Sequence, residues 1–182
     1  EEHRATIARS FAYFASALKL SEDHPTLHLD YTLIAYSQIP KLERKLIVFE
    51  SKEYGRVLCG PEVRHLLPDI ALANVNMMDL KDILNHRLYS MIYYGRLADH
   101  GSATTNAYVL AKNGLDLLTL YLASNFSILE AGYARRLQCL LTLDVSNDIA
   151  RFFSTCFKVK MRPDSATLEE LAFMNSMVAP LA

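Results

Sequence analysis

Two histidines four apart, His24 and His28, are the first residues whose types and spacing suggest chemistry, flanked by Asp23 and Asp30. On one helix face that spacing lets two imidazoles meet at a single zinc ion. The H-E-x-x-H pattern of a zinc protease is absent, and Pro25 directly after the first histidine works against a shared face. Solvated loop histidines and no metal site are therefore expected. Cys59 lies near His65 and Asp69, but a nucleophilic thiol needs a base in contact with it, and Val57-Leu58 beside it reads as the neighbourhood of a packed thiol. Neither a glycine-rich phosphate loop nor a G-x-S-x-G elbow occurs. Glu169-Glu170 reads as first-turn helix charge, not as an acid–base pair. No catalytic residue and no cofactor is assigned.

The basic residues say more. Between Ala131 and Arg162 stand Arg135, Arg136, Arg151, Lys158, Lys160 and Arg162, opposed by Asp144 and Asp148, in a chain whose formal charge is -1. Lys158, Lys160 and Arg162 alternate with Val159 and Met161. In an extended segment all three would point one way, as a comb for phosphates; in a helix they would spread around it. Tyr93-Tyr94-Gly95-Arg96 adds tyrosine and arginine, side chains favoured at interface hot spots and able to stack on bases. These nine side chains, from Tyr93, Tyr94 and Arg96 to the Arg135–Arg162 set, are the candidate binding residues. Leu137-Gln138-Cys139-Leu140-Leu141 has the L-x-x-L-L spacing of a groove-binding helix, but within a strongly apolar segment it reads as core.

The elements that must position these groups are helical. Apolar residues recur at three and four through Ile7, Phe11, Phe14 and Leu18. Thr26 to Gln38 is ambiguous and reads as helix from Pro25. Ser37 to Glu53 puts Ile39, Leu42, Leu46 and Phe49 on one face, with Gly55 as the stop. The competing reading is a small β-hairpin near residues 45–59, since Leu46-Ile47-Val48-Phe49 is the most strand-like run. A short helix follows through Val63, Leu66 and Leu67, then a long one capped by Asp79. Another starts at Ser102 or Thr104 and is interrupted by Gly114. Ser127-Ile128-Leu129-Glu130 and Thr167-Leu168-Glu169-Glu170 both match the capping box, and Ser146 opens a helix between them.

The fold expected is therefore all-α, a compact domain of about seven or eight helices over residues 1–182. The chain has 182 residues, 51% of them hydrophobic and 21% charged. A chain this long buries roughly 70% of its unfolded surface and needs no metal or disulfide staples. Lys+Arg 19 against Asp+Glu 20 gives no global field toward nucleic acid or membrane. The uncharged stretch Leu117 to Leu129 is below the roughly 18 residues of a membrane span. Three scattered cysteines suggest reduced thiols in an intracellular, cytoplasmic setting. The chain opens on Glu1 without methionine, as an excised domain or processed product would.

The expected function is a non-catalytic helical protein–protein interaction or assembly module, with an unidentified protein partner or self-association. The alternative is a helical nucleic-acid-binding domain using a basic face within 131–162. An enzyme assembled from groups distant in sequence is the third class, less expected because every local constellation lacks a necessary partner.

Overall fold

The computed structural model describes residues 5–6, 9–10, 12–13, 16, 34–57, 60–96 and 103–178, without the side chains of 94–96, 103 and 178. The chain divides into two compact units, residues 1–38 and 39–182. In the first, the described residues between 5 and 16 are helical. The histidine pair His24 and His28 lies outside the described residues, as does Cys59. A 3-10 turn, Tyr36–Lys41, crosses the division.

The second unit is all-helical among the described residues. Its α-helices are α1 (Leu46–Tyr54), α2 (Met77–Arg96), α3 (Ala103–Phe126), α4 (Tyr133–Leu141), α5 (Asn147–Met161) and α6 (Leu168–Val178). Short 3-10 turns occupy Arg64–Leu66 and Pro163–Ser165. α3 is the central element, packing on α2, α4, α5 and α6. Its Leu115, Leu118 and Leu122 are fully buried, and Met91, Leu140, Phe152, Phe153, Cys156, Val159 and Met174 close around them. A helix apolar on nearly every side must lie inside such a bundle.

Local signals explain most boundaries. Ser146 accepts a hydrogen bond from the Ile149 N–H and starts α5. Thr167 and Glu170 form a reciprocal box at α6: the Glu170 N–H donates to Thr167 Oγ1 at 3.2 Å, and the Thr167 N–H donates to Glu170 Oε2 at 3.0 Å.

Several local expectations change. The strand-like run Leu46 to Phe49 is helical, so the hairpin reading of 45–59 does not hold for the described part of that segment. One reason is tertiary, since the Leu46 N–H donates to Asp79 Oδ2 at 2.7 Å, and one is local, since the Gly55 N–H closes on Ser51 O at 2.9 Å. Asp79 thus caps α1 from a distance. Its own helix is capped by Asn76, whose Oδ1 accepts from the Met78 N–H at 2.9 Å. Ser127 heads no helix, because α4 starts only at Tyr133, after Gly132. Ser127 instead ends α3 with a left-handed φ of 56°, and the Ile128 N–H reaches back to Leu122 O at 3.2 Å.

Gly114 does not interrupt α3, which runs unbroken through it. A Cβ there would meet Cys156 Sγ at 2.5 Å, so glycine is what lets α5 approach α3. No helix among the described residues is long and apolar enough to cross a membrane.

Candidate functional site

Among the candidate binding residues whose side chains are described, the basic ones do not gather on one face. α5 is helical through Met161, so Lys158 and Lys160 diverge around it and the extended comb with Arg162 does not form. Lys158 Nζ pairs with Glu170 Oε1 at 2.5 Å. Arg151 lies 4.3 Å over the Phe173 ring, with Glu169 at 3.5 Å. Arg135 is exposed and stacks 5.2 Å over Tyr54. Arg162 is exposed at the C-terminal end of α5. Tyr93 stacks on Tyr89 with centroids 6.1 Å apart. The side chains of Tyr94 and Arg96 lie outside those described.

Arg136 turns inward to a chamber of about 590 Å³, lined by charged and apolar side chains, between α1, α2, α3 and the start of α4. Arg136 is 2% exposed. Its guanidinium pairs with Glu50, and its Nε donates to Glu130 O at 2.8 Å. Burial lowers its pKa to about 10, which leaves it charged at neutral pH. Glu50 also accepts from the Gly132 N–H at 3.2 Å, placing a carboxylate at the N-terminus of α4. Asp79 does the same for α1. Two carboxylates thus each satisfy the start of another element's helix.

The third carboxylate, Asp116, accepts the Tyr133 hydroxyl at 2.6 Å and lies 2.7 Å from Arg87 Nε. The arginine contact is close but lacks hydrogen-bond alignment, leaving Arg87 Nε and Asp116 Oδ2 without a formal hydrogen-bond partner. Burial first, then the Asp116 charge, raises the Tyr133 phenol well above its usual range, so it stays a donor. Lys160 Nζ lies 5.1 Å from the centroid of Tyr108 and 5.2 Å from that of Tyr133. Burial lowers its pKa, while Asp116 works the other way. Lys112 lines the chamber and has no ion-pair partner among the described residues.

Sequence reasoning passed over Asp116, Lys112, Arg87, Glu50 and Tyr133 as functional residues. One signal was present: Tyr108, Lys112 and Asp116 recur at intervals of four along an otherwise apolar helix, marking a polar stripe that must face something. Glu50 and Arg87 carry no such mark, because their partners are distant in sequence.

The second feature is an apolar groove of about 600 Å³ walled by α2, α3, α5 and α6. Leu80, Leu84 and Leu88 line one side; Leu117, Leu120 and Phe152 contribute to the others. Met77 stands at its edge, 59% exposed. Lys81 is the charged side chain among its lining residues. Cys139 and Cys156 are free thiols, and Cys156 is fully buried with its pKa pushed far up by desolvation. Among the described residues no cluster of His, Cys, Asp and Glu is placed to hold a metal ion. No family model, curated protein or solved structure matches the chain.

Proposed function

We propose that the protein is a helical interaction module whose apolar groove receives an amphipathic helix from a protein partner. The observation that carries this reading is the groove itself, a concave surface lined mostly by Leu, Ile, Phe and Met side chains. Contiguous apolar concavities on a protein surface mark interaction sites. The wall from Met77 to Leu88 spans about 17 Å at 1.5 Å per residue, the length of roughly three helical turns. That suits anchors at i, i+4 and i+7 of an incoming helix. Exposed Met77 supplies an adaptable, polarizable edge. Lys81 favours a partner with an acidic residue beside its apolar stripe.

The nucleic-acid alternative has less support. Lys158 and Arg151 face Glu170 and Glu169, and Arg136 is buried against Glu50, so three of its six basic residues are already opposed by carboxylates.

The test is fluorescence anisotropy with a labelled helical peptide bearing leucines at i, i+4 and i+7 and a glutamate flank. Expected are micromolar binding, loss in Leu84→Glu with an unchanged circular dichroism spectrum, and weaker binding of a lysine-flanked peptide. Equal binding to the folded Leu84→Glu variant, or none to either peptide, overturns the reading. A saturable rise in Tm with decanoate that is lost in Leu84→Glu, with no peptide binding, would assign the groove to a lipid chain, and groove-dependent dimerisation in sedimentation would assign it to a second copy.

A further inference from the structure

The charged side chains lining the chamber match in number, but its cations are unevenly partnered. Arg87, Lys112 and Arg136 line it, and Lys160 stands over the ring of Tyr133 in its wall. Facing them are the carboxylates of Glu50, Asp79 and Asp116. Glu50 and Asp79 also sit at the N-termini of α4 and α1, each worth about half a positive charge. Three lining cations stand against three lining carboxylates, and the two helix ends add roughly one positive charge. The donors are unevenly satisfied as well. Arg136 is almost wholly enclosed and its Nη2 is taken up by Glu50. Arg87 directs Nε at Asp116 and Nη1 at His86, which leaves Nη2 for another acceptor. Lys112 has three ammonium donors and no carboxylate partner among the described residues.

We propose that the chamber binds the oxyanion group of a small organic molecule, a phosphate or a carboxylate, with Lys112 as its principal charged contact and Arg87 as the second. The volume of about 590 Å³ exceeds what a bare ion fills and lies in the range of small-molecule sites, roughly 300–1,000 Å³. Leu46, Ile83 and the Tyr54 ring line the same space and form the wall against which the carbon part of the ligand packs. The site is separate from the apolar groove and does not depend on the helix-binding reading.

Thermal denaturation of the full chain tests the proposal, with inorganic phosphate and succinate titrated separately against sodium chloride of matched ionic strength. At least one oxyanion is expected to raise Tm saturably, as ligands that bind only the native state do. In Lys112→Ala the half-saturating concentration should rise roughly tenfold or more, the equivalent of about 1.4 kcal/mol. Lys112→Arg should restore it, and Lys81→Ala in the groove should leave it unchanged. Lys112→Gln is the second neutral variant, to be used should the alanine chain fail to fold. The stronger of the two probes assigns the group as phosphate or carboxylate. No saturable rise with either probe, or a rise with the same half-saturation in the neutral Lys112 variants, overturns the proposal.

Discussion

Glu170 holds two structures at once: it closes the box with Thr167 at the start of α6 and pairs with Lys158 on α5. Those contacts, the Lys158 hydrogen bond first and the Thr167 amide next, lower its pKa. A carboxylate with a folded pKa below its unfolded value adds stability above the unfolded value, about 4.3 for glutamate, and loses it as pH falls through the folded value. Glu170→Gln should therefore lower the urea midpoint at pH 7, with a deficit that shrinks as pH falls below the unfolded value of about 4.3; a deficit independent of pH would mean the charge plays no part. Thr167→Ala should cost about 1 kcal/mol at neutral pH through the lost cap. Ser127 makes the opposite case. Its left-handed backbone costs a residue with a Cβ roughly 1–2 kcal/mol. Ser127→Gly should consequently raise the denaturation midpoint, and Ser127→Val should lower it. A lowered midpoint for the glycine variant would contradict the assigned φ. Both Ser127 and Thr167 head the same four-residue pattern. At Thr167 the box forms alongside the Lys158 pair, because the two contacts use different oxygens of Glu170. At Ser127 the Ile128 amide is bound to Leu122, and the Glu130 carbonyl is held by Arg136.

At the scale of elements, α3 and α5 approach closely where Gly114 faces Cys156. Glycine costs an α-helix about 1 kcal/mol relative to alanine, so propensity alone favours Gly114→Ala. The packing term opposes it, because a Cβ 2.5 Å from a buried sulfur must displace α5 or the thiol. Overpacking of this kind costs about 1–3 kcal/mol, and the net change should be destabilising. Adding Cys156→Ala should recover part of the loss, giving a favourable coupling in a double-mutant cycle of equilibrium melts. Strict additivity would place the cost elsewhere. The same pair shows what could be read along the chain. The periodicity of α3 was legible on both sides of Gly114, as were the helices opened by Ser146 and Thr167, since all rest on residues within four positions of one another. That Gly114 marks a close approach depends on Cys156, a residue on another helix. α1 was ambiguous for a related reason. Leu46-Ile47-Val48-Phe49 suits a strand by local preference, and the group that selects helix is Asp79, 33 residues further along. The chamber was legible only as the Tyr108, Lys112 and Asp116 stripe, because Glu50, Arg87 and Tyr133 join it through the tertiary fold.

For the molecule as a whole, Lys+Arg 19 and Asp+Glu 20 nearly cancel, so affinity for a polyanion would have to come from a local concentration of unopposed cations. The segment richest in basic residues does not supply one. Lys158 and Arg151 lie against Glu170 and Glu169, Arg136 is enclosed with Glu50, and Lys160 is half-buried over two tyrosine rings. Arg135 and Arg162 are the exposed residues of that set with no carboxylate against them among the described residues. Neutralising two phosphates gives a shallow salt slope, roughly -1.4 on single strands and -1.8 on duplex DNA, and correspondingly weak binding. The expected result of a filter-binding titration is therefore a Kd weaker than about 10 µM for single-stranded RNA and duplex DNA at physiological salt, within the weak, non-specific range. Lys158→Ala with Lys160→Ala should leave that value unchanged, because the first ammonium is paired internally and the second faces aromatic rings. Submicromolar binding that falls steeply with salt and disappears in the double variant would overturn the expectation. It would mean that Glu170 releases Lys158 to the polyanion, and the destabilisation of α6 that follows would appear in the same variant's urea midpoint.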